Sequence, residues 1–99
     1  MTIKKIENGS AVTYALSGRL DTSSAPELEK IIKTGLDGLT ELVFDFSGLD
    51  YISSAGLRIL LTAQKKMNSQ QGSMKVTGAN EIVLEIFDVT GFSDFLTIE

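Results

Sequence analysis

The chain has no histidine, no cysteine and no tryptophan, and only one proline in ninety-nine residues. Without cysteine there is no disulfide framework, no iron–sulfur cluster and no thiolate zinc site. Without histidine the commonest general base and the commonest transition-metal ligand are both missing. Basic residues are also few, nine against thirteen acids for a formal net charge of −4. They are scattered rather than gathered into a stripe, so no nucleic-acid footprint is present. No run approaches the ~20 apolar residues of a membrane span. The opening Met1-Thr-Ile-Lys-Lys-Ile-Glu7 lacks the apolar stretch of a secretory signal. A cytoplasmic address follows as the expectation, with no membrane insertion.

What is present is a 42% hydrophobic chain long enough for one core. Proline and glycine do not cluster, so residues 1–99 read as a single domain without a linker, repeat or extra domain. Residues Thr2–Glu7 are β-prone, Asn8-Gly9 is a turn pair, and Ala11–Ser17 suits a pleated surface; together they read as a hairpin closed at Gly18. From Asp21 the period changes. Ser24-Ala-Pro-Glu27 has the form of a capping box, and Leu28, Ile31, Ile32 and Leu36 recur at helical spacing until Gly35 and Gly38.

Leu42-Val-Phe-Asp-Phe46 is a nearly continuous apolar run, as in a central strand covered on both faces, with Asp45 as its anomaly. The next helix runs from Ser54 to about Ser69. Leu57, Ile59, Leu60, Leu61, Ala63 and Met67 fall on one arc, and Arg58, Thr62, Lys65, Lys66 and Ser69 on the other. Gln71-Gly72 ends it and Met74–Thr77 forms a strand. Asn80 caps a third helix with Ile82, Val83, Ile86 and Phe87 inward and Gly91 just past its end. Phe95–Ile98 is a possible last short strand. The fold class is therefore α/β: a small mixed β-sheet with helices packed against it, in the order β-β-α-β-α-β-α.

Chemistry concentrates between Asp45 and Leu57, where a buried strand is expected to lead through a loop to two serines at the mouth of a helix. Loops at the carboxyl ends of parallel strands are where α/β sheets carry their sites. A helix start also offers unpaired N–H groups and partial positive charge, which suit an anion on a serine. The plainer reading is that these serines only cap the helix, and that Asp45 and Asp50 only bond their own turns. Gly56, inside the first helical turn, hints at close approach by another segment. No catalytic residue emerges. Ser54 has no histidine to activate it, Lys65 and Lys66 lie three turns along the helix, and the G-x-S-x-G elbow is missing. Asp21, Asp45 and Asp50 do not match a calcium loop, and no Walker A or G-x-G-x-x-G loop is present, so neither a metal nor a cofactor is expected.

The stretch Leu49-Asp-Tyr-Ile-Ser-Ser-Ala-Gly-Leu-Arg-Ile-Leu-Leu61 resembles the signature of STAS domains, the family of bacterial anti-sigma factor antagonists and sulfate-transporter tails. Gly18-Arg-Leu-Asp21 with Ala25-Pro-Glu-Leu28, and Val43-Phe-Asp-Phe-Ser-Gly48, resemble two further family segments, and the resemblance spans essentially the whole chain. It implies a regulator that is not an enzyme. In such antagonists the serine opening the second helix is phosphorylated by the anti-sigma factor, a serine kinase. The unphosphorylated antagonist binds that kinase and frees a sigma factor; phosphorylation breaks the complex, and a metal-dependent serine phosphatase restores it.

By motif position the acceptor is Ser54, with Ser53 as second candidate and N-cap, and Asp21 matches an acid near the site. The partner surface expected around it comprises Asp21, Tyr51, Ile52, Ser53, Ser54 and Arg58, with Tyr51 and Ile52 as apolar anchors. The familiar motif has an acid where this chain has Ser53, and a second hydroxyl where it has Ala55. Two other readings stand beside this one. The first is a STAS docking module that is never phosphorylated, attached to an assembly such as a lipid-transport ATPase complex. The second is an acidic carrier protein, whose Asp-Ser-Leu site and four-helix bundle this chain lacks.

Overall fold

Two turn residues, Gly9 and Ser10, close the hairpin between β1 (Thr2–Asn8) and β2 (Ala11–Leu20), which pair antiparallel from Asn8↔Ala11 to Thr2↔Ser17. The computed structural model describes residues 1–99. Asn8 is thus the last strand residue, and Gly9 takes the first turn position at a φ of +63°, where glycine meets no steric penalty. The chain continues through α1 (Ala25–Gly35), β3 (Glu41–Ile52), α2 (Ser54–Ser69), β4 (Ser73–Thr77) and α3 (Glu81–Val89), then a short 3-10 turn at Phe92–Asp94. The sheet order is β1-β2-β3-β4, with β2, β3 and β4 parallel. Crossovers α1 and α2 therefore each return the chain to the next strand. No helix is long and apolar enough to cross a membrane.

The core lies on one face of the sheet. Val12 and Tyr14 of β2 are in register with Leu42 and Phe44 of β3, and all four are buried. Tyr14, Phe44, Phe46 and Phe87 form a row of rings with successive centroids 6.2, 6.1 and 6.3 Å apart, joining three elements across the sheet. Leu28 and Ile32 of α1, Leu57, Leu60, Ala63 and Met67 of α2, and Val83 and Phe87 of α3 close over it. Gln64 is buried with them. Gln70 fastens the far end, where its Nε2 donates to the carbonyls of Leu36 (2.6 Å) and Leu39 (2.9 Å).

Several sequence expectations are corrected by this arrangement. β3 is covered on one face only: Val43 and Asp45 are half-buried on the other, which removes the anomaly of an acid in a strand sealed on both sides. Asp45 there accepts from the Ser47 N–H (3.0 Å) and hydroxyl (2.7 Å), which hold its carboxyl below the usual range. Nor is there a loop from Ser47 to Ser53. The strand continues to Ile52 because two register shifts absorb the extra chain: between the pairs Ala15↔Asp45 and Leu20↔Ile52, β3 carries two residues more than β2.

At α1, Pro26 sits in the first turn but no capping box forms. Ser24 is itself helical in backbone, and its hydroxyl turns back to donate to the Arg19 carbonyl at 2.7 Å. In α3 the cap holds, with Asn80 Oδ1 accepting from the Val83 N–H at 2.8 Å, and Gly91 follows the helix at a φ of +82°. Ile82, expected inward, points to solvent, because the apolar arc of α3 is wider than the face the core covers. Val83 and Phe87 are buried and Ile86 packs partly against them, while Ile82 lies at the edge of that arc beside the acids. The expected last strand shrinks to one bridge, in which the Val76 N–H donates to the Thr97 carbonyl and the Glu99 N–H to that of Val76.

Gly56 is where α2 meets the sheet. A Cβ at this position would lie 2.7 Å from Ile52 Cγ1, 2.7 Å from Leu20 Cγ and 2.9 Å from Leu20 Cδ2. Both neighbours are buried, with no solvent side into which to move. Overpacking costs about 1–3 kcal/mol, while alanine regains about 1 kcal/mol of helix propensity. With both neighbours fixed, the overpacking cost falls at the upper end of its range. Gly56→Ala is therefore expected to lose about 2 kcal/mol net, read as a fall in thermal midpoint of roughly 8–16 °C. An unchanged midpoint would show that Leu20 and Ile52 yield freely.

Candidate functional site

The carboxyl ends of β2 and β3 lie side by side, Leu20 paired with Ile52, and both chains leave the sheet there. The Ser53 N–H donates to the Leu20 carbonyl at 2.8 Å, which ties the entry of α2 to the last residue of β2. Ser53 is the N-cap in extended conformation, and its carbonyl accepts the first helical bond from the Leu57 N–H at 3.0 Å. Its hydroxyl, however, makes no capping bond and is sealed from solvent without a partner. Ser54, the first residue of α2, is exposed. The two serines that the motif leaves adjacent are thus opposite in accessibility.

No acidic residue occupies the first turn of α2. The unpaired N–H groups and positive end of this helix are consequently not neutralised from within the chain. Arg58 stands four residues on, on the same helical face as Ser54, exposed and without an ion pair.

Asp21 follows β2 directly. One carboxylate oxygen accepts from the Ser23 hydroxyl (2.8 Å), the Ser23 N–H (3.1 Å) and the Ser24 N–H (3.2 Å). These bonds, the Ser23 hydroxyl first among them, hold the carboxyl below its ordinary range, so it is ionised. The other oxygen lies 3.7 Å from Arg19 Nε. Arg19 in turn is the register partner of Tyr51, and its guanidinium carbon sits 4.5 Å from the centre of the Tyr51 ring. Such a stacked pair contributes about 0.5–1 kcal/mol at an exposed site.

The structure therefore gathers Asp21, Tyr51, Ser53, Ser54 and Arg58 at one end of the molecule. Ile52 is the exception among the expected surface residues. It is 1% exposed, packed in the core beneath Gly56, because it alternates with the outward-facing Tyr51. Its expected role as an anchor is withdrawn. Arg19, which had no role in the sequence reading, joins the site in its place. The signal was available in the alternation of β2, where Arg19 stands between Gly18 and buried Leu20, but its ring partner depends on the register shifts in β3.

With this geometry in hand, comparison with known proteins is decisive about family. The STAS domain profile matches residues 2–99. The chain belongs to the STAS domain family. It is 33% identical over 93 residues to BtrV of Bordetella bronchiseptica, covering 93% of this chain and 78% of that one. It is 32% identical over 97 residues to the anti-sigma-B factor antagonist of Bacillus subtilis, covering 97% and 86% respectively. Among solved structures, the unphosphorylated anti-sigma factor antagonist SpoIIAA superposes with a TM-score of 0.84 at 17% identity, over 99% of this chain and 88% of that one. Its phosphorylated form, from Bacillus, superposes at 0.78 and 16%, over 99% and 91%. The mixed four-stranded sheet with three helices is the fold these proteins share.

Proposed function

We propose that this chain is an anti-sigma factor antagonist of a bacterial partner-switching pathway, acting in the cytoplasm as one domain, and that Ser54 is its phosphate acceptor. The observation that carries the assignment to Ser54 is the contrast in exposure: its hydroxyl is open at a helix start free of acids, whereas the Ser53 hydroxyl is sealed. A kinase needs a hydroxyl it can reach, and a dianion is best tolerated where helix N–H groups are unpaired. Support for the pathway comes from a 32% identical relative named as an anti-sigma-B factor antagonist.

In this reading the unphosphorylated chain presents Asp21, Tyr51, Ser54 and Arg58, with Arg19 stacked on Tyr51, to an anti-sigma factor serine kinase. Phosphorylation adds roughly −1.5 to −2 charge at the centre of that surface. Buried against the partner, the new charge would have to be desolvated beside the ionised Asp21, so the complex separates. A metal-dependent serine phosphatase returns the chain to its binding form. The chain is a substrate in this cycle and catalyses none of its steps.

The test is incubation with each serine-kinase anti-sigma factor of the same organism and ATP, followed by mass-spectrometric mapping. One phosphate on Ser54, lost in Ser54→Ala, is the expected outcome. Phosphate on Ser53 would overturn the assignment. No phosphate with any such kinase would favour the docking-module reading instead.

A further inference from the structure

Five large apolar side chains stand well out of the protein surface, and four of them, Ile82, Leu84, Val89 and Phe95, fall within residues 82–95. Ile82 (57% exposed) and Val89 (76% exposed) share one side of α3 with half-buried Ile86, at the i, i+4, i+7 spacing that makes a continuous stripe. Val83 and Phe87 are the residues the helix gives to the core. Phe92, in the 3-10 turn after α3, is half-buried with its ring edge-on to Phe95 at 5.9 Å. Thus α3 carries an apolar stripe that touches the core only at its middle, Ile86, and leaves Ile82 and Val89 uncovered.

Its flank has one sign of charge. Glu81, Glu85 and Asp88 follow the same spacing one residue earlier and form an acidic row beside the stripe. From Thr77 to Glu99 there are five acids and no lysine or arginine. None of the ion pairs in the structure involves Glu81, Glu85 or Asp88. The last turn of α3 also has no basic residue, so the negative end of the helix and Asp88 reinforce each other uncompensated. A second copy meeting this face would oppose acid to acid, and anionic lipid or nucleic acid would be repelled in the same way. Only an apolar surface edged with positive charge complements it.

We propose that the outer face of α3 is a docking surface for a partner protein's basic amphipathic helix, with apolar residues laid on Ile82, Ile86 and Val89 and Lys or Arg along Glu81, Glu85 and Asp88. The surface begins beside the partner-switching site and extends away from it along α3. Asn80 at its start is bound to the carbonyls of Leu49 and Asp50 near the end of β3, and α3 runs on from there.

The test uses the full chain and two synthetic probes: a helical Leu/Lys peptide with its leucines on one face, and a peptide of equal charge with those leucines replaced by serine. In a nuclear magnetic resonance titration the first is expected to shift residues 81–92 saturably, and the second to bind at least about tenfold more weakly. Ile82→Ser/Val89→Ser should weaken the first probe by about tenfold or more. Glu81→Gln/Glu85→Gln/Asp88→Gln should weaken it similarly and flatten its salt dependence. All five positions are exposed, and circular dichroism checks that the helix persists. Shifts spread over all acidic surfaces, equal binding of both peptides, or no binding would overturn the proposal. So would a dimer in sedimentation that Ile82→Ser dissociates, or binding to phosphatidylglycerol vesicles, each of which assigns the stripe a different occupant.

Discussion

Ser54→Asp is expected to weaken binding to the cognate anti-sigma factor kinase by more than a hundredfold while leaving the fold and thermal midpoint unchanged. The two halves of that expectation have separate physical causes. Within the chain, the side chain is exposed at the first position of α2, and no acid already occupies that turn. A carboxylate near a helix N-terminus contributes about 0.3–1 kcal/mol in its favour, so the monomer tolerates it. At an interface the same charge loses water at the end of the molecule that also carries Asp21, whose hydrogen bonds from Ser23 and Ser24 keep it ionised. A penalty of about 3 kcal/mol already corresponds to more than a hundredfold in affinity. Authentic phosphate should do more, since it takes the net charge from −4 to about −6. Titration calorimetry of wild type, Ser54→Ala and Ser54→Asp against the kinase checks it, with Ser54→Ala expected to bind like wild type. Equal affinity for the Asp variant would remove the electrostatic switch.

Phe44→Ala should produce the largest loss of stability of any single truncation considered. The ring is wholly buried on β3, between Tyr14 at 6.2 Å and Phe46 at 6.1 Å, and its register partner is Tyr14 itself. Its removal breaks the row of rings in the middle, and the flanking strands are too firmly paired to collapse into the space. Phe→Ala in a core costs about 3–5 kcal/mol, a large part of the ~5–15 kcal/mol that holds a domain folded. A fall of at least about 15 °C in the thermal midpoint is expected. Ile6→Ala is the matched control, since Ile6 is half exposed on the edge strand and surface changes of this kind stay within about 0.5 kcal/mol. Similar losses for the two variants would mean that the ring row is not the centre of the core.

Local periodicity made most of the fold legible. The arc from Leu57 to Met67 fixes which side of α2 is buried, and the spacing from Leu28 to Leu36 does the same for α1. What escaped depends on partners remote in sequence. Whether β3 is covered on one face or two follows from where all three helices pack, which Leu42–Phe46 cannot express locally. The continuation of the strand to Ile52 depends on its pairing with β2 through two bulges. At this end of the molecule, the place of Ser54 at the start of α2 was legible from the sequence, but the sealed Ser53 hydroxyl, the core position of Ile52 and the stacking of Arg19 on Tyr51 all follow from that pairing. Ile82 failed for a different reason: the acids Glu81, Glu85 and Asp88 mark the solvent side of α3, but the apolar arc opposite them is wider than the core can cover, and Ile82 lies at its edge.

The bond from the Ser53 N–H to the Leu20 carbonyl, with Gly56 pressed against Leu20 and Ile52, has a consequence for how a kinase could read its target. Many serine acceptors are short flexible peptides that an enzyme draws out and recognises residue by residue. In the proposed reading the acceptor, Ser54, directly follows a residue clamped to a strand more than thirty residues earlier in the chain. The information that marks Ser54 is therefore held in three dimensions, and an unfolded copy of the same sequence would not carry it. Under that proposal, recognition of this serine would amount to an inspection of whether the whole domain has folded.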